Sequence, residues 1–311
     1  MLTFIPGYPP SPQRLLARFL PPLAEGVAAY YLEAHTAPGA LVLDPFGQSP
    51  QAALEALHVG RRVIVANFNP VSRLALSLAV RPPSAEELTS ALALLAEART
   101  GGQLLEEYLR GLYLTRCAQC DRQVSADSFE WDTERDPDAP VEKTYHCPEH
   151  GPQRTPSDPA DRALAGRFSG SGPDYHLLLH RVAPPDDSDR PYADEALAVY
   201  PPRALAAIAT TLQRLDALKP GPEPRRLLAG LLVAALDAAC PLAQERPRAL
   251  VTSKRFSEHN FWLALDNARG MLAGVPAGDR WLALPDLLSG GPDARSVRLA
   301  TLEALVEQVS A

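Results

Sequence analysis

Apolar and polar positions fall into blocks over the first seventy residues, and the blocks predict strand, turn, helix and strand. An apolar run at 41–43 ends in Asp44-Pro45-Phe46-Gly47, helical spacing follows over 51–57, and a second apolar run occupies 63–66. Parallel strands are buried on both faces and need a crossover between them, so short apolar runs joined by a helix predict a βαβ unit. The first turn of such a unit usually receives a nucleotide-like ligand, which makes this stretch the candidate cofactor pocket.

The same patterning extends outward from that unit. Helices are expected over 13–20, 22–35 and 71–80, and the extended segment at Tyr8-Pro9-Pro10 precedes them. Ser84 and Glu87 form a capping box that opens a helix to about residue 99, and Gly101-Gly102 breaks it. A further helix at 104–112 leads into a strand at 113–115. Short strands are expected at 129–131 and 141–146, with an acidic loop between them, and the polar stretch 153–172 reads as a linker. The run YHLLLHRV at 175–182 reads as a strand, which places His176 and His180 on one sheet face. Residues 183–192 form a hydrophilic loop, and helices follow at 203–218 and 227–239, the second nearly all apolar and hence buried. Residues 249–252 read as a short strand. The cluster Arg255-Phe256-Ser257-Glu258-His259-Asn260-Phe261-Trp262 opens an amphipathic helix to residue 271; it reads either as a ligand or nucleic-acid contact or as a helix cap with Phe261 and Trp262 in the core. A strand at 296–300 and a helix at 301–309 complete the pattern.

One group of residues carries chemistry on its spacing alone. Cys117 and Cys120 form a C-x2-C pair, Cys147 and His150 a C-x2-H pair, and twenty-six residues separate the two. Each pair fits a tight turn in which two side chains converge on one ion, and two turns complete the tetrahedral set that Zn²⁺ prefers. A structural zinc ribbon is therefore expected, with His146 as the competing ligand to His150. Too few apolar residues lie between the pairs to form a core unaided, so metal binding energy would be folding energy.

The stretch DPFGQSP, a helix, Gly60-Arg61-Arg62, a second strand and Asn69-Pro70 resembles the cofactor motif of S-adenosylmethionine-dependent DNA amino-methyltransferases, the N6-adenine and N4-cytosine type. Those enzymes read close to LDPFxGxGT, helix, GRxxxGIExNP. The resemblance implies an α/β, Rossmann-like methyltransferase fold, incomplete here, with an inserted zinc ribbon and a helix-rich second half. It implies a cofactor-binding half at 1–112, the ribbon at 113–155 and the remainder of the methyltransferase-like domain at 156–311. It also assigns S-adenosylmethionine binding to Asp44, Pro45, Phe46, Gly47, Asn67 and Asn69. The chain departs from the motif where Gln48, Ser49 and Pro50 replace glycine-rich positions, and where Asn67 replaces the acid that accepts the ribose hydroxyls.

The catalytic D-P-P-Y of that family has no counterpart here. Asp189-Arg190-Pro191-Tyr192 has arginine for the first proline and lies in a hydrophilic loop, and Tyr200-Pro201-Pro202-Arg203 opens a helix. In the resembled enzymes the strand and helix expected at 296–309 precede the strand that carries the motif. The resemblance thus implies the cofactor-side part of a DNA methyltransferase, whose catalytic motif comes from a second chain. The alternative is a catalytically inactive, zinc-braced module for nucleic-acid or protein contact. No catalytic residue is assigned.

Composition narrows these readings only slightly. A formal charge of −7 on 311 residues gives no overall attraction to DNA, so any such contact needs a local basic patch or the partner chain. No apolar run has the length of a membrane span, and the N-terminus lacks a secretory pattern, so a cytoplasmic location is expected by default. Three of the four cysteines in metal-ligand spacing agree with a reducing compartment.

Overall fold

The blocks of the first seventy residues become a parallel unit in the computed structural model, which describes residues 4–10, 15–21, 23–67, 69–242, 250–274 and 281–284. The described residues form a mixed α/β structure with eleven helices and three sheets. The chain divides into two units, residues 1–85 with 270–311 and residues 86–269. No helix among the described residues is long and apolar enough to cross a membrane.

In the first unit, α1 (Val27–His35) precedes β1 (Leu41–Asp44), α2 (Pro50–His58), β2 (Arg62–Ala66) and α3 (Pro70–Val80). Strands β1 and β2 are parallel, with Leu41 opposite Arg62 and Asp44 opposite Val65. Both following helices begin with proline at the first turn, where no N–H is needed. Ser49 caps α2 by accepting from Gln51 N (3.4 Å), and Asn69 caps α3 by accepting from Val71 N (2.8 Å). Ala53, Ala56, Leu57, Val63, Val65, Leu76 and Val80 make the core between them.

Helix α1 starts five residues later than expected from its pattern. Glu25 forms an antiparallel bridge with Tyr8, and Gly26 takes a left-handed φ of 86°, so the helix cannot extend back through them. Residues 15–19 are turns where a helix was expected, with Leu16 at φ 58°. No residue of α1 is fully buried. Its ends are held by charge instead: Glu55 accepts from Gly26 N and Ala29 N (2.8 Å each), and Arg61 donates to Leu32 O (3.2 Å) and Thr36 O (2.6 Å). A carboxylate at the N-terminus and a guanidinium at the C-terminus both complement the helix dipole.

The second unit opens with α4 (Ala85–Ala96), whose first residue is counted in the first unit. A two-residue hairpin follows, β3 (Arg99–Thr100) and β4 (Gln103–Leu104), turning through Gly101 and Gly102 at φ 59° and 89°. Next come α5 (Leu105–Gly111), β5 (Leu114–Arg116), β6 (Gln123–Asp132), β7 (Glu142–Cys147) and β8 (Gly151–Pro156). These four strands pair antiparallel in sequence order, with a bulge in β6 between Ala126 and Ser128.

The expected linker at 153–172 instead contains β8 and α6 (Pro159–Ala165). Asp158 caps α6 by accepting from Ala160 N (2.7 Å), and Asp161 reaches back to Asp158 N (2.9 Å). This reciprocal cap is readable in the spacing Asp158-Pro-Ala-Asp161. The stretch expected as a strand at 175–182 is α7 (Pro173–Val182). Its apolar triplet suits either period, and packing decides: Leu179 clusters with Ala183 and Ala193, the latter on α8 (Arg190–Ala198), while Tyr175 and Leu197 pack alongside. His176 and His180 therefore lie one helical turn apart on an exposed surface, not on a sheet face.

Helix α9 (Pro202–Leu218) follows as expected and α10 (Pro222–Ala239) starts five residues earlier than expected, each burying an Ala/Leu-rich stretch. The aromatic and charged cluster then splits. Arg255 to His259 form β9 (Arg255–His259), antiparallel to β6, and α11 (Phe261–Leu272) begins after Asn260. Phe261 is 0% and Trp262 3% exposed, so both are core residues. β9 brings Glu258 to Arg203 in a buried pair, with Nε–Oε1 at 2.9 Å and Nη2–Oε2 at 3.0 Å. The guanidinium lies over the rings of Phe129 (4.5 Å) and Tyr113 (5.0 Å), and Trp131 Nε1 donates to Glu258 (2.8 Å). Finally β10 (Trp281–Leu284) returns to the first unit, parallel to β2, giving the order β1-β2-β10. Thr252 bridges Leu242, and the elements expected at 296–309 lie outside the described residues.

Candidate functional site

Two strand-ending turns in the second unit carry the cysteine and histidine pairs. Leaving β5, the chain turns at Cys117: Asp121 N donates to Cys117 O and Cys117 N to Arg122 O, both at 2.9 Å, and Asp121 adopts φ 57°. Leaving β7, it turns through Cys147 to His150, and Gly151 at φ 66° starts β8. The β5–β6–β7 pairing sets the turns side by side.

The ligand atoms of Cys117, Cys120, Cys147 and His150 all lie within 4.8 Å of one another, and the group could hold a metal ion. Cys120 Sγ is 3.8 Å from Cys147 Sγ; His150 Nδ1 is 3.5 Å from Cys147 Sγ and 3.7 Å from Cys117 Sγ. Tetrahedral binding at ordinary bond lengths requires sulfur–sulfur edges of about 3.8 Å and sulfur–nitrogen edges of about 3.6 Å. The four atoms are thus already spaced for one central ion. His146, the competing ligand, is exposed and stands outside the group, as does buried Cys240 after α10.

The surroundings favour thiolates. Burial opposes charge on Cys117, yet N–H groups of Gln119 and Cys120 together with the neighbouring sulfurs bring its thiol down to about 6. An N–H from Arg122 favours the Cys120 thiolate, but burial and the other two sulfurs push it up to about 11. Burial also opposes charge on Cys147, and the His150 hydrogen bond with nearby N–H groups outweighs it, lowering that thiol. The Cys147 sulfur in turn raises the His150 imidazole. Three sulfurs this close cannot all ionise without a cation among them. Among the described residues, Cys117, Val124, Tyr145 and Cys147 form the local core cluster, and two of these four are ligands. Tyr145 also braces the first turn, its hydroxyl accepting from Ala118 N (2.9 Å).

Sequence reasoning missed the charged cluster beside this group. Lys143, 2% exposed, contacts Asp158 (2.6 Å), Asp161 (2.8 Å) and Thr115 Oγ1 (2.8 Å). A lysine in a strand and two aspartates at a later helix start give no local signal that they meet.

In the first unit, the candidate cofactor residues Asp44, Phe46, Gly47, Asn67 and Asn69 do come together, but mostly to bind one another. Asp44 Oδ1 accepts from Phe46 N (3.1 Å) and Gly47 N (2.9 Å). Asn67 Nδ2 donates to Phe46 O (3.0 Å) and Gly47 O (2.7 Å), and its Oδ1 accepts from Asn69 N (2.7 Å). Gly47 has φ 48°, and a Cβ there would meet Val65 Cγ1 at 2.5 Å, so only glycine lets the loop lie on β2. A cavity of about 470 Å³ adjoins the loop on its β1 side, touching Asp44, Pro45 and Phe46 but not Gly47, Asn67 or Asn69.

Comparison of the chain with protein-family models, with curated proteins and with solved structures finds no match.

Proposed function

We propose that the chain is the cofactor-side part of an S-adenosylmethionine-dependent DNA amino-methyltransferase-like protein, with a Rossmann-like domain, a zinc ribbon set into it, and a catalytic motif supplied by a second chain. The observation that carries this reading is the Asp44-Pro45-Phe46-Gly47 turn at the carboxyl end of β1, folded against Asn67 at the carboxyl end of parallel β2. Ligands of open α/β sheets bind outside the carboxyl ends of the strands. Zinc is the ion that best suits three cysteines and a histidine in a closed tetrahedral set, a structural arrangement with no position left for a reacting water.

The residues fit the cofactor in part. The cavity has ligand-sized volume and a carboxylate in its wall. The end of β2 does not fit a ribose, because the Asn67 amide is spent on the loop carbonyls. That same engagement of Asn67 favours a second reading: a zinc-braced, methyltransferase-like module without cofactor, serving protein or nucleic-acid contact. Calorimetric titration with S-adenosylmethionine separates the two. Micromolar binding that Asp44→Ala abolishes, with no methyl transfer to DNA by this chain alone, supports the first; absence of heat at any concentration supports the second.

A further inference from the structure

We infer that Cys120 is an oxidation site through which a hydroperoxide undoes the metal group, with Cys147 as the sulfur that resolves it. The inference rests on the zinc reading of that group and needs nothing from the methyltransferase reading. Of the three cysteine ligands Cys120 alone is exposed, whereas Cys117 and Cys147 are buried. Residues 118–122 are exposed throughout. An open cleft of about 450 Å³ touches Cys117 and Cys120 but not Cys147, so an oxidant arriving from solvent meets the C-x2-C turn first.

A metal-bound cysteine is a thiolate. Thiolate character, exposure and a neighbouring resolving sulfur are the three conditions that make a cysteine sensitive to oxidants. Cys147 meets the third, its Sγ lying 3.8 Å from Cys120 Sγ on the adjoining turn. In the first step the Cys120 sulfur takes the terminal oxygen of the peroxide, the O–O bond breaks, and the remaining oxygen leaves with one proton as water or an alcohol. Cys120 is then a sulfenic acid. The Cys147 thiolate attacks that sulfur, the S–O bond breaks, and hydroxide leaves as water with a second proton. Two electrons have passed from the two sulfurs to the peroxide. Cys117 and His150 remain, two of the four donors that a closed zinc site requires. The disulfide ties the turn after β5 to the turn after β7, and a thiol reductant with added zinc restores the group.

The test takes the full chain loaded with zinc and follows free zinc with a coloured chelator while hydrogen peroxide is added. About one zinc per chain should be released, as one closed site requires. Peptide mapping without reduction should find Cys120 joined to Cys147, with buried Cys240 unmodified. Cys120→His keeps a fourth ligand and removes the exposed sulfur, so release should slow by about tenfold or more. Should that variant fail to load zinc, the mapping of the unaltered chain decides. Zinc retained in excess peroxide, a disulfide through Cys117, or unchanged release from zinc-loaded Cys120→His overturns the inference. A chain that takes up no zinc before peroxide is added removes the zinc reading and this inference with it, so the starting metal content tells the two failures apart.

Discussion

The Cys117–His150 group and the Asp44–Asn67 loop are both strand-ending turns on which polar side chains converge, yet their chemistry is opposite. In the first, ligand-type groups converge: three sulfurs and an imidazole, with the imidazole as the one non-sulfur partner, stand at the edge lengths of a tetrahedron. In the second, complementary groups converge: carboxylate meets N–H, amide nitrogen meets carbonyl, and every bond closes within the protein. Converging ligand groups of this kind could hold an ion. Converging complementary groups build a loop that needs nothing added, and ligand chemistry is then to be sought beside it, where Asp44 faces the cavity.

Removing the ion should separate the two regions most sharply. Structural zinc in small modules contributes about 10–16 kcal/mol of folding free energy, so chelation or Cys147→Ser should open the turns at β5, β7 and β8. Hydrogen exchange would show amides 117–122 and 145–151 losing protection while those of β2 keep theirs. Unchanged protection after metal-free purification would make the cluster self-sufficient and erase the contrast.

Gly47→Ala should be the next largest effect. A left-handed backbone at an alanine and a contact of 2.5 Å with Val65 should together cost about 2–3 kcal/mol in urea unfolding. Asn67→Asp is smaller but more telling. It restores the acid of the resembled family, and it also turns a donor into an acceptor facing two carbonyls, with an expected cost of about 1–2 kcal/mol. A variant with unchanged stability that gains S-adenosylmethionine affinity would show the loop to be a cofactor site after all.

The smallest effect is a pH dependence at the Lys143 cluster, which is complementary like the loop but lies beside the metal group. Burial opposes charge on Asp158, but the Lys143 ammonium outweighs it and holds the carboxyl below its usual range. Its contribution is present above the ordinary aspartate value and is lost as pH falls below about 4. Burial likewise opposes charge on Lys143, and Asp158 and Asp161 raise it above the ordinary lysine value. That contribution is present below about 10 and is lost as pH rises further. Asp158→Asn should flatten the acid limb of a stability profile; an unaltered limb would place the acid sensitivity elsewhere.

Much of this was legible in the residue order because it depends on neighbours within a turn or two. The βαβ pattern at 41–66, proline-started helices at 50, 70 and 202, and the paired C-x2-C and C-x2-H turns follow from spacing, side-chain size and capping chemistry. The cap at Asp158 and Asp161 was equally local and could have been found.

Other features exist only through contacts distant in sequence, and only the tertiary structure decided them. The run at 175–182 suits a helix or a strand, and packing against the neighbouring helix chose the helix. Arg255 to His259 became a strand because β6, more than a hundred residues earlier, offered an edge, and the Arg203–Glu258 pair followed from that. Asn67 reads as a ribose acceptor changed to an amide; in the fold it is the peg that holds the preceding loop. A side chain's chemistry is written in its identity, but the partner that uses it is set by which backbone groups the fold leaves unsatisfied nearby.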